Sequence, residues 1–212
     1  MEAVEPVTIA VLAKAPVAGF AKTRLIPALG AGRAAKLQGR LTDRTIEAAC
    51  AAATGPVTLW ATPDETHASF RLLQTHRKIT LARQPDGDLG ARILAGLKHS
   101  GGATLVIGTD CPAMMPAHLR KAADVLRSGA DAVVFPAEDG GYVLIGMRKP
   151  LPALFAGMRW STSEVMDETR RRLRYHRLTW QEPVTLWDVD VPEDLPRLRG
   201  LGLLDEFSRN LS

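Results

Sequence analysis

Three aspartates and a group of cations are the residues best suited to chemistry in this 212-residue sequence. Asp110 closes the run Val106-Ile107-Gly108-Thr109-Asp110-Cys111-Pro112. The apolar stretch reads as a buried strand, and the X-Pro pair keeps the chain extended beyond it, so the carboxylate is presented at a strand end. Asp188 and Asp190 stand two apart in Trp187-Asp188-Val189-Asp190-Val191-Pro192, and on an extended segment both point to one face. Magnesium takes one or two protein carboxylates and keeps water and phosphate oxygens as its other ligands. Asp110 with one member of the pair therefore suits Mg2+ or Mn2+. The structural alternatives are a helix cap for Asp110, and a loop brace for the other aspartate and Asp194.

The complementary charge lies in Leu12-Ala13-Lys14-Ala15-Pro16-Val17-Ala18-Gly19-Phe20-Ala21-Lys22-Thr23-Arg24-Leu25, directly after an apolar strand pattern. Backbone N–H groups with Lys22 and Arg24 can hold a di- or triphosphate, since arginine grips phosphate bidentately. Ala13, Lys14, Gly19, Lys22 and Arg24 form the expected nucleotide-binding set here, with Lys22, Arg24 and Asp110 as the catalytic group. The Lys-Thr pair is not the end of a Walker A loop, because Pro16 and Ala21 occupy the places where that motif needs glycine. A surface loop with ordinary lysines is the competing reading.

Other chemistries find little support. The five histidines, at 67, 76, 99, 118 and 176, show no ligand spacing, and no serine or cysteine sits in a nucleophile elbow. Cys50 and Cys111 give neither a disulfide framework nor a zinc pattern and read as packing residues. A net charge of +4 is mild for a nucleic-acid binder, and Arg170, Arg171, Arg172 and Arg174 read as a solvated helix face. No apolar run is long enough to span a membrane and the N-terminus lacks the basic start of a signal peptide, so a cytoplasmic protein is expected. Length and even composition suit one domain over residues 1–212.

Strand patterns alternate with helical ones, which predicts an α/β fold with a mixed, mostly parallel sheet flanked by helices. Strands are expected at Val7–Leu12, Val57–Ala61, Ile79–Arg83, Leu105–Gly108, Ala132–Pro136 and Tyr142–Met147, with a short last one near Thr185–Trp187. Helices are expected at Arg33–Ala53, Leu89–His99, from Pro116, at Thr162–Tyr175 behind a Ser161/Glu164 capping box, and from Pro192. Only five residues part Pro136 from Tyr142, too few for a crossover helix, so that pair is antiparallel or splayed. In open α/β sheets ligands bind beyond the carboxyl ends of the strands, where the cationic loop, Asp110 and the Asp188/Asp190 pair all fall.

The motifs LAKAPVAGFAKTRL, QPDGDLGARI, GTDCP, PAEDGGYVLIG, WSTSEV and DVDVPEDL occur in an order that resembles a bacterial glycosyltransferase-A-fold family. That family was long catalogued as a domain of unknown function, and its members are labelled selenodomain-associated or arsenosugar-biosynthesis transferases. The likeness runs from about residue 7 to residue 200 and implies a Rossmann-like nucleotide-diphospho-sugar transferase fold, with nucleotide at the carboxyl ends of the first half-sheet. The AKTRL loop and DVDVPEDL are also similar to phospholactate guanylyltransferases. Molybdenum-cofactor guanylyltransferases carry asparagine where Asp190 stands, which favours Asp190 over Asp188 as metal ligand. The resemblance implies that Gln84, Asp88 and Arg92 recognise the base. It likewise implies that Asp139, Gly140, Gly141 and Tyr142 approach the transferred or accepting group, and that Trp160, Ser161 and Thr162 close over the acceptor. A tight turn between strands is the competing reading of Asp139-Gly140-Gly141. One departure stands out: many sugar transferases of this fold carry Asp-X-Asp where this chain has Gly108-Thr109-Asp110. The expected activity is transfer of a sugar from a nucleotide sugar to a small-molecule acceptor. The alternatives are nucleotidyl transfer from a nucleoside triphosphate with release of pyrophosphate, and a non-catalytic nucleotide-binding module.

Overall fold

The computed structural model describes residues 5–204. Its elements run β1 (Thr8–Lys14), a 3-10 turn (Thr23–Leu25), α1 (Ile26–Leu29), α2 (Ala31–Ala52), β2 (Val57–Thr62), α3 (Ala68–His76), β3 (Thr80–Arg83), α4 (Leu89–His99) and β4 (Thr104–Gly108). There follow α5 (Pro116–Arg127), β5 (Ala132–Pro136), β6 (Tyr142–Met147), α6 (Val165–Tyr175), β7 (Trp180–Gln181) and α7 (Leu195–Arg199).

Alternate residues of each strand enter different cores, which is why these runs are apolar throughout. Ile9, Val11, Leu105, Ile107, Val133 and Phe135 meet α2, α3 and α5 through Ile46, Phe70 and Leu119. Ala10, Val106, Val134 and Ile145 face the other way, onto Ile93 and Leu97 of α4 and Met166 and Leu173 of α6. The result is a seven-stranded sheet in the order β3-β2-β1-β4-β6-β5-β7, covered on both faces. The pairs β1–β2, β1–β4, β2–β3 and β5–β7 are parallel, whereas β6 runs antiparallel to both β4 and β5. The expected mixed α/β sheet is therefore present, including the antiparallel β5–β6 pair.

Four details differ from expectation. The Ser161/Glu164 capping box does not form: α6 starts at Val165, and Glu164 makes no side-chain cap bond. Its first amides are satisfied from elsewhere, Met166 N–H donating to Gly140 O at 2.8 Å, while Ser161 takes a left-handed backbone with φ 62°. Secondly, the last ladder strand is Trp180–Gln181, and the Thr185–Trp187 stretch makes a single bridge from Leu186 to Ala137. Pro183 lies between them and has no N–H to continue a ladder. Thirdly, Pro192 opens a 3-10 turn and the regular helix begins only at Leu195. Finally, α3 is an element the sequence patterns left out. The arginine run of α6 is engaged with carboxylates: Arg170 pairs with Asp167 and Glu182, and Arg171 and Arg172 with Glu168. Among the described residues no helix is long and apolar enough to cross a membrane.

Candidate nucleotide and metal site

The chain leaves β1 for β2 and β3 on one side, then returns to the other side as β4, so β1 and β4 straddle the topological switch point. Their parallel register sets Leu12 beside Gly108. Two residues further along each strand direction stand Lys14 and Asp110, at the mouth of a cleft of about 440 Å3. The cationic loop, the ends of β1 and β4, the start of α4, β6 and the Asp188/Asp190 segment all line it.

Charge is concentrated at one end. The Lys22 ammonium lies 2.7 Å from Asp110 Oδ1 and 3.8 Å from Asp190 Oδ1, and it also donates to the carbonyl oxygen of Val189. Arg24 Nη1 donates to Asp190 Oδ2 at 2.9 Å. The two cations differ in setting: the Lys22 side chain is 4% exposed and that of Arg24 61%. Lys22 has a left-handed backbone, φ 48° and ψ 46°, which turns its side chain inward. Both cations expected to meet phosphate thus meet the two expected metal ligands.

Alternation along an extended segment positions the aspartate pair. Val189 is fully buried with Leu25, Leu37, Leu41 and Leu198, which turns Asp188 and Asp190 to the cleft. The Val189 N–H donates to Asp110 O at 2.8 Å, tying the two acidic segments together. Asp194 Oδ2 accepts from the N–H groups of Asp190 and Val191 at 2.8 and 2.9 Å, so it braces the loop. Arg197 adds a second brace, stacking 4.1 Å over the Trp187 ring while bonding Glu138 at 2.7 Å.

Asp188, which the sequence reading placed second to Asp190, also lines the cleft. Burial first, then the charges of Asp139 and Asp190, push its carboxyl up to about 6. Asp190 is raised as well, by burial first, with Lys22 acting against it. The folded state therefore holds a proton on Asp188 that the unfolded chain, titrating near 3.8, releases earlier. Stability contributed by this group is present at low pH and is lost as pH rises from about 4 to about 6. In metal-free protein Asp188→Asn should remove that decline and raise Tm at pH 7.5. Partial exposure screens the charge, so the gain should be about 1 kcal/mol, or about 2–4 °C at this size. Thermal melts of both proteins between pH 4 and 8 check this, and parallel profiles would refute the assignment.

The remaining expected residues divide into two groups. Ala13, Lys14, Gln84, Arg92 and Tyr142 line the cleft. Gln84 Nε2 donates to Ala13 O and Trp60 O, which pins the ends of β1 and β2 and leaves only its carbonyl side for a base. Arg92 Nε and the Tyr142 hydroxyl are buried without partners among the described residues, and burial raises the tyrosine's pKa, keeping it a neutral donor. Gly19, Asp88, Asp139, Gly140, Gly141, Trp160, Ser161 and Thr162 stand outside the cleft wall. Asp88 caps α4 through Ala91 N–H and accepts from Trp160 Nε1 at 3.2 Å, so its carboxylate serves the chain's own donors. Asp139 Oδ1 accepts from Gly141 N–H within the turn. Trp160 stacks edge-on to Tyr142 at 6.4 Å and touches the cleft through it. The sequence reading missed Gln38, whose buried amide donates to Thr109 Oγ1 at 2.9 Å, beside Asp110. A glutamine on the apolar face of α2 was the available signal, because a buried amide needs a polar partner.

A divalent cation suits this chemistry. Asp110 and Asp190 already flank one cation, the Lys22 ammonium, with Asp188 and Asp139 adding negative charge nearby. Among the described residues no group of three or more His, Cys, Asp or Glu forms a closed metal cage. Two carboxylates open to solvent are nonetheless what magnesium uses when phosphate and water complete its shell.

Comparison with solved structures agrees with the fold. A candidate nucleotide-diphospho-sugar transferase from Desulfovibrio desulfuricans G20 is 26% identical, with 97% of this chain and 88% of that one covered at a TM-score of 0.79. A nucleotidyl transferase from Methanothermobacter thermautotrophicus is 16% identical over 95% of this chain and 100% of its own, at 0.63. A Mycobacterium tuberculosis H37Rv protein in complex with manganese is 19% identical over 92% and 98%, at 0.53. The sheet is thus that of the nucleotide-diphospho-sugar transferase fold. No curated protein matches the sequence. Residues 45–162, more than half of the chain and including Asp110, match a family described as "Uncharacterized protein conserved in bacteria (DUF2064)", and the chain belongs to that family.

Proposed function

We infer that this chain is a divalent-metal-dependent transferase that takes a nucleotide sugar and passes the sugar to a small acceptor. The observation that carries the reading is the meeting of Lys22, Arg24, Asp110 and Asp190 at the switch-point cleft. The likeness to the Desulfovibrio protein supports sugar transfer in particular, as does the order of motifs shared with selenodomain-associated and arsenosugar-type transferases. In this reading Lys14, Lys22 and Arg24 bind the diphosphate, and the backbone at Ala13 with the free carbonyl of Gln84 faces the base. Asp110 and Asp190 hold Mg2+ or Mn2+, whose charge, when bound, offsets that of the departing diphosphate. The bond from the sugar's anomeric carbon to the diphosphate breaks, nucleoside diphosphate leaves with the bonding pair, and a bond forms to an acceptor hydroxyl oxygen, whose proton passes to water. Arg92 and Tyr142, with unpartnered polar atoms in the cleft, orient the transferred group.

Nucleotidyl transfer is the second reading, favoured by one observation: Asp110 has no acidic residue two positions before it, and its counterpart comes instead from Asp190. There a substrate phosphate attacks the α-phosphorus of a nucleoside triphosphate and pyrophosphate leaves. Incubation with magnesium separates the two. Nucleoside diphosphate released from a nucleotide sugar supports the first, and pyrophosphate released from a triphosphate plus a phosphorylated acceptor replaces it with the second.

Arg24→Ala should weaken nucleotide binding by about 1.5 kcal/mol, the low end for hydrogen bonds to charged groups, because the side chain is largely exposed. The loss should shrink as salt rises, and Arg24→Lys should restore only part of it, since lysine lacks the planar fork. Calorimetry at two ionic strengths measures this; equal affinities would take Arg24 out of the site.

A further inference from the structure

Lys22 holds a position that the site reading gives to a different cation. Its ammonium is held by Asp110 Oδ1 at 2.7 Å and the Val189 carbonyl, with Asp190 Oδ1 as a longer ion-pair partner at 3.8 Å. The side chain is almost wholly enclosed, and its backbone takes a left-handed conformation that few non-glycine residues adopt. An ammonium and a divalent cation cannot both sit between the same two carboxylates, because like charges at that spacing repel strongly. Lys14, in the same cleft, makes no ion pair with either aspartate and is exposed.

We propose that Lys22 is the resident counter-ion of the Asp110/Asp190 site and that a divalent cation binds by displacing it. The proposal rests on the metal site of the preceding section and adds an order to its filling. The bare protein takes the metal weakly, because the cation must expel a buried ammonium from a set of charge-assisted bonds. Phosphate oxygens of an incoming nucleotide give that ammonium a new anionic partner, so nucleotide and metal enter as one complex. Lys22 thereby offsets part of the carboxylate charge in the resting protein and part of the phosphate charge in the loaded one.

The test uses Mn2+ alone, followed by electron paramagnetic resonance on the full chain without nucleotide. Lys22→Met keeps the length of the side chain and removes the charge. It should bind Mn2+ about tenfold or more tightly than the wild type. Lys14→Met, which changes net charge equally, should stay within about threefold. Adding Asp110→Asn to Lys22→Met should abolish the gain. Equal gains for Lys14→Met and Lys22→Met, or none for either while the wild type binds Mn2+ through Asp110, would overturn the displacement and leave the metal site standing. If no protein, Lys22→Met included, takes up Mn2+ at millimolar concentration, the metal site fails and the displacement with it. A second measurement needs no variant: amine acylation of the wild type, read by mass spectrometry, should be slow at Lys22 and accelerate as Mn2+ saturates the Asp110 site. An unchanged rate at saturation would also overturn the proposal.

Discussion

Asp110→Asn and Asp190→Asn should each lower turnover by about a hundredfold or more while leaving the fold intact. Both carboxylates are nearly half exposed, at 45% and 46%, and asparagine has the same shape, so neither change opens a cavity. In the proposed site, what it removes is half of the negative charge that would hold a cation against the phosphates. Lys22 keeps the Val189 carbonyl and one carboxylate in either variant, so it is not left unpaired. The two measurements are steady-state rates over a magnesium series and a thermal melt of each variant. A variant that turned over at nearly the wild-type rate in low magnesium would lose its place as a ligand. Asp188→Asn is the informative companion, because Asp188 shares the cleft but lies outside the Lys22 contact set. A loss equal to that of Asp190→Asn would make the metal site a three-aspartate one.

Gly140→Ala should be the most damaging small substitution near the site, costing about 3 kcal/mol or more. Gly140 has φ +91°, and a Cβ there would meet the Ser163 carbonyl oxygen at 2.2 Å and its carbonyl carbon and Cα at 2.7 Å. All three are backbone atoms at the approach to α6, so no side chain can swing aside. The substitution also strains the Met166 N–H bond to Gly140 O that satisfies the start of that helix. A fall in Tm of about 10 °C follows from the per-kcal shift for a protein of this size. Gly157→Ala is the control: its φ is +61° but nothing lies within 4 Å of the added Cβ. Only the left-handed penalty of about 1 kcal/mol remains there. Equal melts for the two variants would show that the turn yields, and that Asp139 is not held by it.

Local pattern was enough for the first six strands, because a sheet covered on both faces demands unbroken apolar runs, and Leu105–Gly108 and Ala132–Pro136 read that way without any partner; the seventh, Trp180–Gln181, was not legible. The antiparallel β5–β6 pair was equally legible, since five residues cannot carry a crossover. Asp110 and the Asp188/Asp190 pair were visible as carboxylates at strand ends, and the cationic loop as a place where charge collects without periodicity. Pairing across the chain was not legible. That Lys22 meets Asp110 and Asp190, 88 and 168 residues away, depends on β4 returning beside β1 and on Val189 filling the gap beside α2. Gln84 and Asp88 looked free to bind a base, and only the assembled fold gives their side chains to Ala13, Trp60, Ala91 and Trp160. The Ser161/Glu164 pattern was a sound local signal that lost to a carbonyl from the neighbouring turn. Hydrophobic periodicity is a property of neighbouring residues and so is written along the chain. A site built from ion pairs and hydrogen bonds between distant segments depends on where those segments are packed, which only the closed tertiary structure decides.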